Sequence, residues 1–377
     1  MYTLALRQLV LDWPRTILVA IALGAIFGVI LVLKGFEQGQ YHQLARTVEN
    51  RQADLIVAQS GVSNLIAARS SLPQLMRATV ESIPGVRVAH PLTTMPVIYE
   101  GHGIKTPIYM FVYDSGGGPR HVMQGISRQR GRGIVIDVSL AEKHDIGVGD
   151  SMSIADFGFE VTGISERSSA LFMPFAFINY DGMIDFMLES EIAPDLSAFP
   201  LLSYLLVELE PDAAPAAIAD AIESQATEVD VYTAAEMAQN DIALARSMLG
   251  DVMGLLVLVS YVTGILVVGL IMFAEVNTRL RGFGVLKAVG FSENRLVLSV
   301  VTQAFAYYLL SVPIGLSIAL GMAALINSIA PLYYVKVMTA GGLLTTLLAG
   351  GVVAIFGGVL PIVRLRRLDP NIAFSRV

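Results

Sequence analysis

Four long apolar stretches without a charged residue interrupt the chain, and they are unevenly distributed. One lies near the N-terminus, at Thr16–Leu33, and after a gap of more than 200 residues three follow, at Val252–Ala274, Leu296–Ile326 and Leu343–Val363. As helices, all four are long enough to cross a hydrocarbon core of roughly 30 Å at about 1.5 Å per residue. The pattern predicts a helical membrane protein with four spans and a large domain between the first two.

That domain is predicted to be α+β, because short β-branched and aromatic runs alternate with helical ones over residues 55–235. The predicted strands are Leu55–Ala58, Val86–Val97, Ile104–Tyr113, Ile134–Val138, Met152–Ala155, Glu160–Ile164, Leu205–Leu209 and Val229–Tyr232. The predicted helices are Pro73–Ser82, Ser139–His144, Asp181–Leu188 and Ala213–Thr227. Ser115–Pro119 is predicted to be a flexible turn and a seam between two subdomains.

Helical composition on both sides of the domain predicts two stalk helices, at 35–54 and 236–251, which stand side by side. Apolar residues spaced for one helical face predict an amphipathic elbow helix along the membrane over 1–14. The other predicted boundaries are spans at 15–34, 252–274, 296–326 and 343–363, an inner loop at 275–295, a short outer loop at 327–342 and a tail at 364–377.

Charge is divided unevenly along the chain and predicts its orientation. Residues 35–251 contain 13 Lys/Arg and 28 Asp/Glu, whereas the rest contains 12 basic and 4 acidic residues. The basic residues beside the spans are Arg7, Arg15, Arg279, Arg281, Lys287, Arg295, Arg364, Arg366, Arg367 and Arg376. Because basic residues accumulate on the cytoplasmic side, we expect cytoplasmic termini, a cytoplasmic 275–295 loop and a large periplasmic domain, in a bacterial inner membrane.

The sequence lacks the usual chemistry of an enzyme or an ion-coupled carrier. It has no P-loop, no G-x-S-x-G elbow, no metal-binding pair of histidines and no cysteine. Apart from Glu275, at the inner edge of the second span, the spans carry no acid or base that could bind a transported ion. We therefore expect no catalytic residue, no cofactor and no metal.

Small residues in the spans predict close helix packing. Gly24 and Gly28 form a G-x-x-x-G pattern in the first span, which lets a second helix approach closely. Pro313 is expected to kink the third span, because it removes a backbone hydrogen bond.

The 275–295 loop has the most specific sequence in the chain. Gly284 and Gly290 bracket five residues, in which Val285, Leu286 and Val289 are predicted to form a small apolar ridge. A short helix bounded by glycines can be buried rigidly in a partner's groove while its ends turn sharply.

This loop resembles that of the FtsX/MacB-type permeases, the four-span class of ABC transporters, which is written E-R-x-R-E-I-G-x-x-[KR]-A-[LI]-G. The matching residues are Arg279, Arg281, Gly284, Lys287, Ala288 and Gly290. Thr278 and Gly282 stand where the family has glutamate, which puts the salt bridges of those glutamates in doubt. Glu275 is the candidate to compensate.

Three further segments are similar to the family's motifs and follow in the family's order. Ala5–Thr16 resembles its opening helix, 134–164 its outer-domain signature, and Pro361–Ala373 its closing motif. Phe36–Gly39 and Ala53–Leu55 look closest to the DevC-like branch, which exports glycolipids.

The resemblance implies a non-catalytic permease that dimerises and binds two copies of a separate ATPase subunit, where the ATP is held. The implied ATPase-coupling residues are Glu275, Arg279, Arg281, Gly284, Val285, Leu286, Lys287, Ala288 and Gly290. Movement of the outer domain would export or extrude a lipophilic or periplasmic substrate, with a periplasmic adaptor and an outer-membrane channel as further partners and no role for nucleic acid. The alternative is an FtsX-like signalling subunit that activates a periplasmic cell-wall hydrolase, although the large outer domain argues against it.

Overall fold

The computed structural model describes residues 11–66, 68–127, 130–191, 202–359 and 361. Two compact units make up the chain. The helical unit comprises 1–39, 249–329 and 334–377, and the sheet unit comprises 40–248 with 330–333. The predicted elbow helix and the tail at 364–377 fall almost entirely outside the described residues.

The elements up to the middle of the sheet unit are α1 (Trp13–Glu49), β1 (Leu55–Gln59), α2 (Met76–Glu81), β2 (Val86–Gly101), β3 (Ile104–Tyr113), β4 (Val122–Gly125), β5 (Gly133–Asp137), α3 (Val138–His144), β6 (Ser151–Ile154), β7 (Phe157–Ser165), β8 (Ser169–Ala170) and β9 (Met173–Asn179). The remainder are α4 (Tyr180–Glu189), β10 (Tyr204–Leu209), α5 (Pro215–Gln225), β11 (Val229–Thr233), α6 (Ala234–Thr278), α7 (Leu280–Ala288), α8 (Glu293–Ile329) and α9 (Ala340–Val359).

Four helices of the described chain, α1, α6, α8 and α9, are long and apolar enough to cross a membrane. The predicted first span and first stalk are one unbroken helix, α1, and the second stalk and second span are likewise one helix, α6. The predicted third span belongs to the 37-residue helix α8, which continues through Pro313.

The predicted glycine packing positions in α1 face α8 at close range. A Cβ atom on Gly24 would lie 2.8 Å from Ile314 Cγ2, and one on Gly28 would lie 3.1 Å from the carbonyl oxygen of Gly315. A Cβ on Gly315 would in turn lie 2.7 Å from the carbonyl oxygen of Gly24. The two backbones therefore approach closely at the glycines, and Gly315 lies two residues beyond Pro313.

The described strands of the sheet unit form an eleven-stranded mixed sheet with the order β11-β1-β10-β2-β3-β9-β5-β7-β4, in which β6 also pairs with β2 and β7, and β8 pairs with β9. The β3–β9 and β5–β7 pairs are parallel, and the other pairs are antiparallel. All eight predicted strands are present, but β4, β8 and the central strand β9 were missed. The predicted seam at Ser115–Pro119 is wrong, because one sheet contains both β3 before it and β4 after it.

An aromatic cluster fills the centre of the sheet unit. The ring of Phe111 stacks on that of Phe177 at 5.6 Å and meets the ring of Phe175 edge-on at 5.0 Å. All three side chains are fully buried or nearly so, and burial of each phenylalanine stabilises the fold by about 2–3 kcal/mol.

The two stalk segments share this core. Tyr41 and Leu44 of α1 belong to the same buried cluster as Met237 and Ala245 of α6. The Arg246 guanidinium also lies 5.5 Å from the centre of the Tyr41 ring, a distance at which a cation is attracted to the ring face. The beginning and the end of the sheet unit are thereby packed side by side.

Candidate functional site

The predicted coupling helix is longer than the sequence suggested. Helix α7 covers Leu280–Ala288, so Gly282 and Gly284 lie inside it. The prediction that Gly284 begins the helix is therefore wrong. Isolated glycines destabilise a helix by about 1 kcal/mol each. Packing of the neighbouring apolar residues against α8 stabilises α7 in spite of its two glycines.

Gly290 ends α7, as its position in the sequence suggests. Its φ of +96° lies in the left-handed region, where a residue with a Cβ is disfavoured. The backbone N–H of Phe291 donates to the Leu286 carbonyl at 3.0 Å, and that of Gly290 donates to the Lys287 carbonyl at 3.1 Å. These bonds use carbonyl groups that the helix end would otherwise leave unpaired.

One face of α7 packs against the start of α8. Phe283 is buried in a cluster with Val276, Leu296 and Val300, and Leu286 is packed against it. Leu286 therefore contributes to the internal packing of the helical unit, and its predicted place on an exposed ridge is wrong.

The opposite face of α7 is exposed in the chain. Val285 is 48% exposed and Val289 is 74% exposed. Arg281, Gly282 and Ala288 are exposed on the same side, at the spacing of a single helical face. The ridge consequently consists of the two valines and Ala288, with Arg281 at its beginning.

Lys287, one of the implied coupling residues, is paired within the chain. Its Nζ lies 2.9 Å from Glu293 Oε1, and its side chain is 21% exposed. Glu293 is in the first turn of α8, so this ion pair connects α7 with the next helix. The lysine supports the position of α7 more directly than it offers a free charge to a partner.

Glu275 is the centre of a buried ionic cluster at the end of α6. Its side chain is 3% exposed; Oε2 lies 3.1 Å from Arg15 Nη2, and Oε1 lies 2.8 Å from Arg279 Nη2. Gln303 of α8 also donates to Oε1, at 3.5 Å. Arg279 is paired a second time, with Asp12 Oδ2 at 2.6 Å.

This cluster connects four parts of the helical unit. Asp12 directly precedes α1 and Arg15 lies in its first turn, Glu275 is near the end of α6, Arg279 is immediately before α7, and Gln303 is in α8. A buried carboxylate is stable only with compensating charges and hydrogen bonds; here two guanidinium groups supply the charges and Gln303 supplies a hydrogen bond. A shift of α7 therefore changes the surroundings of a charge that three long helices share.

The cluster also bears on the two positions, Thr278 and Gly282, at which this loop lacks the glutamates of the family's pattern. Thr278 stands in place of a glutamate, and its hydroxyl accepts a hydrogen bond from Arg15 Nη1 at 3.5 Å. The carboxylate that faces both arginines belongs to Glu275. Gly282, which replaces the second glutamate, is exposed with no neighbouring atom within 4 Å of its Cβ position.

Three contributors to the site were missed from sequence. Phe283 anchors α7, Glu293 pairs with Lys287, and Arg15 pairs with Glu275. The i, i+3, i+6 spacing of Leu280, Phe283 and Leu286 was a visible signal for the buried face. No local pattern relates Arg15 to Glu275, because they are 260 residues apart.

Two family models match the chain. The model of the MacB-like periplasmic core domain matches residues 16–225. That of the FtsX-like permease C-terminal domain matches residues 254–370, which include α7 and the whole of α8 and α9. The first match covers more than half of the 377 residues.

The similarity to ABC transporter permeases extends over nearly the whole length of the chain. An uncharacterised ABC transporter permease of Mycobacterium tuberculosis is 24% identical over 374 residues, which are 98% of each chain. One of Mycobacterium bovis is 22% identical over 376 residues, again 98% of each chain.

Two solved structures are similar to part of the chain. The periplasmic region of MacB from Actinobacillus actinomycetemcomitans is 10% identical, with a TM-score of 0.37, over 51% of this chain and 94% of that one. The extracellular domain of YknZ, a noncanonic ABC-type transporter from Gram-positive bacteria, is 13% identical, with a TM-score of 0.36, over 48% of this chain and 100% of that one. With its two matching family models and four apolar helices, the chain belongs to the MacB/FtsX-type permeases, multi-pass membrane subunits of ABC transporters.

Proposed function

We propose that this permease is one half of a dimeric ABC transporter that exports or extrudes a lipophilic or periplasmic substrate. A separate ATPase, present in two copies, binds and hydrolyses the ATP. The observation that carries the proposal is α7, whose buried face rests on α8 while Val285 and Val289 remain exposed on the other side. An anchored helix with an unpartnered apolar ridge has the form of a coupling helix.

The orientation of the proposal follows from charge. The arginines and the lysine around α7 support a cytoplasmic location for this region by the positive-inside rule, on the side where an ATPase subunit would bind. The sheet unit then lies in the periplasm of a bacterial inner-membrane protein, in contact with substrate or with an adaptor that leads to an outer-membrane channel.

The Glu275 cluster supports a route for the mechanical signal. When the ATPase moves α7, Arg279 moves with it and the ion pair to Glu275 must shift or break. Because Arg15 binds the same carboxylate, the start of α1 responds too. Both α1 and α6 are unbroken helices whose far ends belong to the sheet unit.

The decisive experiment places a charge on the exposed ridge. We expect Val289→Glu to abolish stimulation of the co-reconstituted cognate ATPase, because a carboxylate would be buried without a partner in the docking groove. Leu188→Glu, at a residue that is 69% exposed in the sheet unit, is the matched control and should leave stimulation unchanged. Thermal unfolding should be the same for both variants, since neither side chain is buried in the chain.

Normal stimulation of the ATPase by the Val289→Glu variant would overturn the proposed docking face. Whether the chain exports or signals is decided separately, by crosslinking the full-length protein to its neighbours in the periplasm. An adaptor or a lipid supports export, whereas a cell-wall hydrolase would support the signalling alternative.

A further inference from the structure

A polar cavity of about 220 Å³ opens in the sheet unit beside the loop Ser115–Pro119. Its polar side chains come from Asn50, Gln52, Ser115, Arg120 and Ser127. A single water requires roughly 10–15 Å³ by a comparable measure, so the cavity has room for a polar group as large as a phospholipid headgroup.

The polar side chains around this cavity are available to a ligand. Within the described chain, the side chains of Asn50, Gln52, Arg120 and Ser127 make no hydrogen bond or ion pair that would occupy them. Ser115 Oγ is 2.7 Å from His90 Nδ1, which fixes the position of its hydroxyl. Two amides, two hydroxyls and one guanidinium thus converge on one space.

The loop that forms one wall is fixed by close packing. A Cβ on Gly116 would lie 2.5 Å from His90 Cδ2, and a Cβ on Gly118 would lie 2.4 Å from Tyr113 Cε2. Gly117 has a φ of +86°. Only glycine fits all three positions, so the wall is preorganised and a ligand need not order it.

The charge around the cavity favours an anion. None of its described lining residues is acidic, although residues 35–251 contain 28 Asp/Glu and only 13 Lys/Arg. Arg120 is the charged residue among the described lining residues, and it belongs to the stretch 119–132, which contains no acidic residue; Arg132 of that stretch is paired with Glu189. A local excess of positive charge in an acidic domain would attract an anionic group and repel a cationic one.

A second positive charge is buried behind the loop. Arg51, between the two lining residues Asn50 and Gln52, is 3% exposed and donates from Nη1 to the Gly117 carbonyl. Among the described residues no carboxylate lies within ion-pair distance of it. Burial lowers its pKa to about 9, so the guanidinium remains charged at neutral pH and its field reaches the cavity unneutralised.

We propose that this cavity binds the phosphate group of a small anionic ligand, with Arg120 as the principal charged contact. The claim that the cavity binds an anion depends only on the cavity itself. The further claim that the anion is the headgroup of an exported lipid rests on the proposed function. The two sources of the group are a soluble phosphate compound and a phospholipid headgroup.

The test uses the full chain in phosphatidylcholine nanodiscs without any ATPase, so its outcome is independent of coupling. Isothermal titration with glycerol phosphate, and separately with dihexanoyl phosphatidylglycerol, should give saturable binding that Arg120→Gln weakens about tenfold, as expected for one charge-assisted contact. Asn50→Ala should weaken it less. Arg167→Gln, which removes another exposed positive charge of the same domain, should change nothing.

Tighter binding of dihexanoyl phosphatidylglycerol than of glycerol phosphate would identify a lipid ligand, and equal affinities would identify a soluble one; either result supports the site. Equal weakening by Arg120→Gln and Arg167→Gln would overturn it, because the effect would then be that of overall charge. Absence of binding at millimolar concentrations of both probes would overturn it as well.

Discussion

The two units of this permease each bury a full charge, and they stabilise it in opposite ways. In the helical unit Glu275, which is 3% exposed, is paired with two arginines. In the sheet unit Arg51, equally buried, has aromatic faces in place of a counter-ion: its guanidinium carbon lies 4.9 Å from the centre of the Phe111 ring and 5.1 Å from that of Phe177. Its Nε also donates to the Thr47 carbonyl at 3.2 Å.

The difference shows what each region is suited to do. Ion pairs between separate helices can exchange partners when the helices move, so the Glu275 cluster can have more than one arrangement. A planar guanidinium fixed between rings and carbonyl groups depends on one geometry. The comparison therefore assigns adjustable contacts to the region around α7 and a rigid connection to the end of α1.

The largest effect is expected when the Glu275 carboxylate is removed. Glu275→Gln leaves Arg15 and Arg279 without their shared partner, and breaking a buried pair costs about 3–5 kcal/mol. Because Arg15 is 41% exposed, we expect the lower end of that range, measured as the loss of unfolding free energy in detergent. Glu293→Gln breaks the more exposed pair with Lys287 and should cost under about 1 kcal/mol. Equal losses would remove the distinction between the two pairs.

The next effect separates charge from shape at Arg51. Arg51→Lys keeps a buried positive charge but loses the planar stacking on two rings, so we expect a loss of about 2 kcal/mol in unfolding free energy. Arg51→Met removes the charge and keeps the apolar stem, and it should cost less. A lower unfolding free energy in urea for Arg51→Met than for Arg51→Lys would contradict the view that the stacked guanidinium stabilises the fold through its shape.

The smallest effect concerns the two glycines of the α7 region whose surroundings are open. Gly290→Ala places a Cβ at a φ of +96° and should destabilise the chain by about 1–2 kcal/mol. Gly282→Ala lies inside the helix with no atom within 4 Å of the new Cβ, so it should stabilise by about 0.5–1 kcal/mol. Thermal unfolding of the two variants should shift in opposite directions, and shifts of the same sign would contradict the assigned helix end.

The parts of the fold that local patterns specify could be predicted from the sequence. The spans are long uncharged runs, and most strands show β-branched and aromatic enrichment within a few residues of their true ends. Strand β9 was missed because its Phe175–Ile178 core is buried on both faces, which gives a continuous apolar run without alternation, next to Pro174. The missing alternation and the proline together explain why this central strand was not predicted.

In the candidate site, too, local features could be predicted from the sequence, whereas tertiary contacts could not. Gly290 ends α7 through its own backbone preference, so its role was readable from sequence. The start of α7 was not, because Gly284 suggested a helix boundary where contacts of Phe283 with α8 maintain the helix. The ion pair between Arg15 and Glu275 arises from tertiary structure alone, and the sequence could offer Glu275 only as an unpaired candidate.

The unbroken hydrogen bonding of α1 also bears on the polar cavity. At about 1.5 Å per residue, its 37 residues give a rod of roughly 55 Å, which ends at Glu49, one position before the first cavity residue. The last turns of α1 belong to the sheet unit, so Asn50 and Gln52 follow directly on a segment that is packed in its core. Because Arg51 also donates to the Gly117 carbonyl, the helix end and the glycine wall are joined, and an anion that enters the cavity would find both walls already in place.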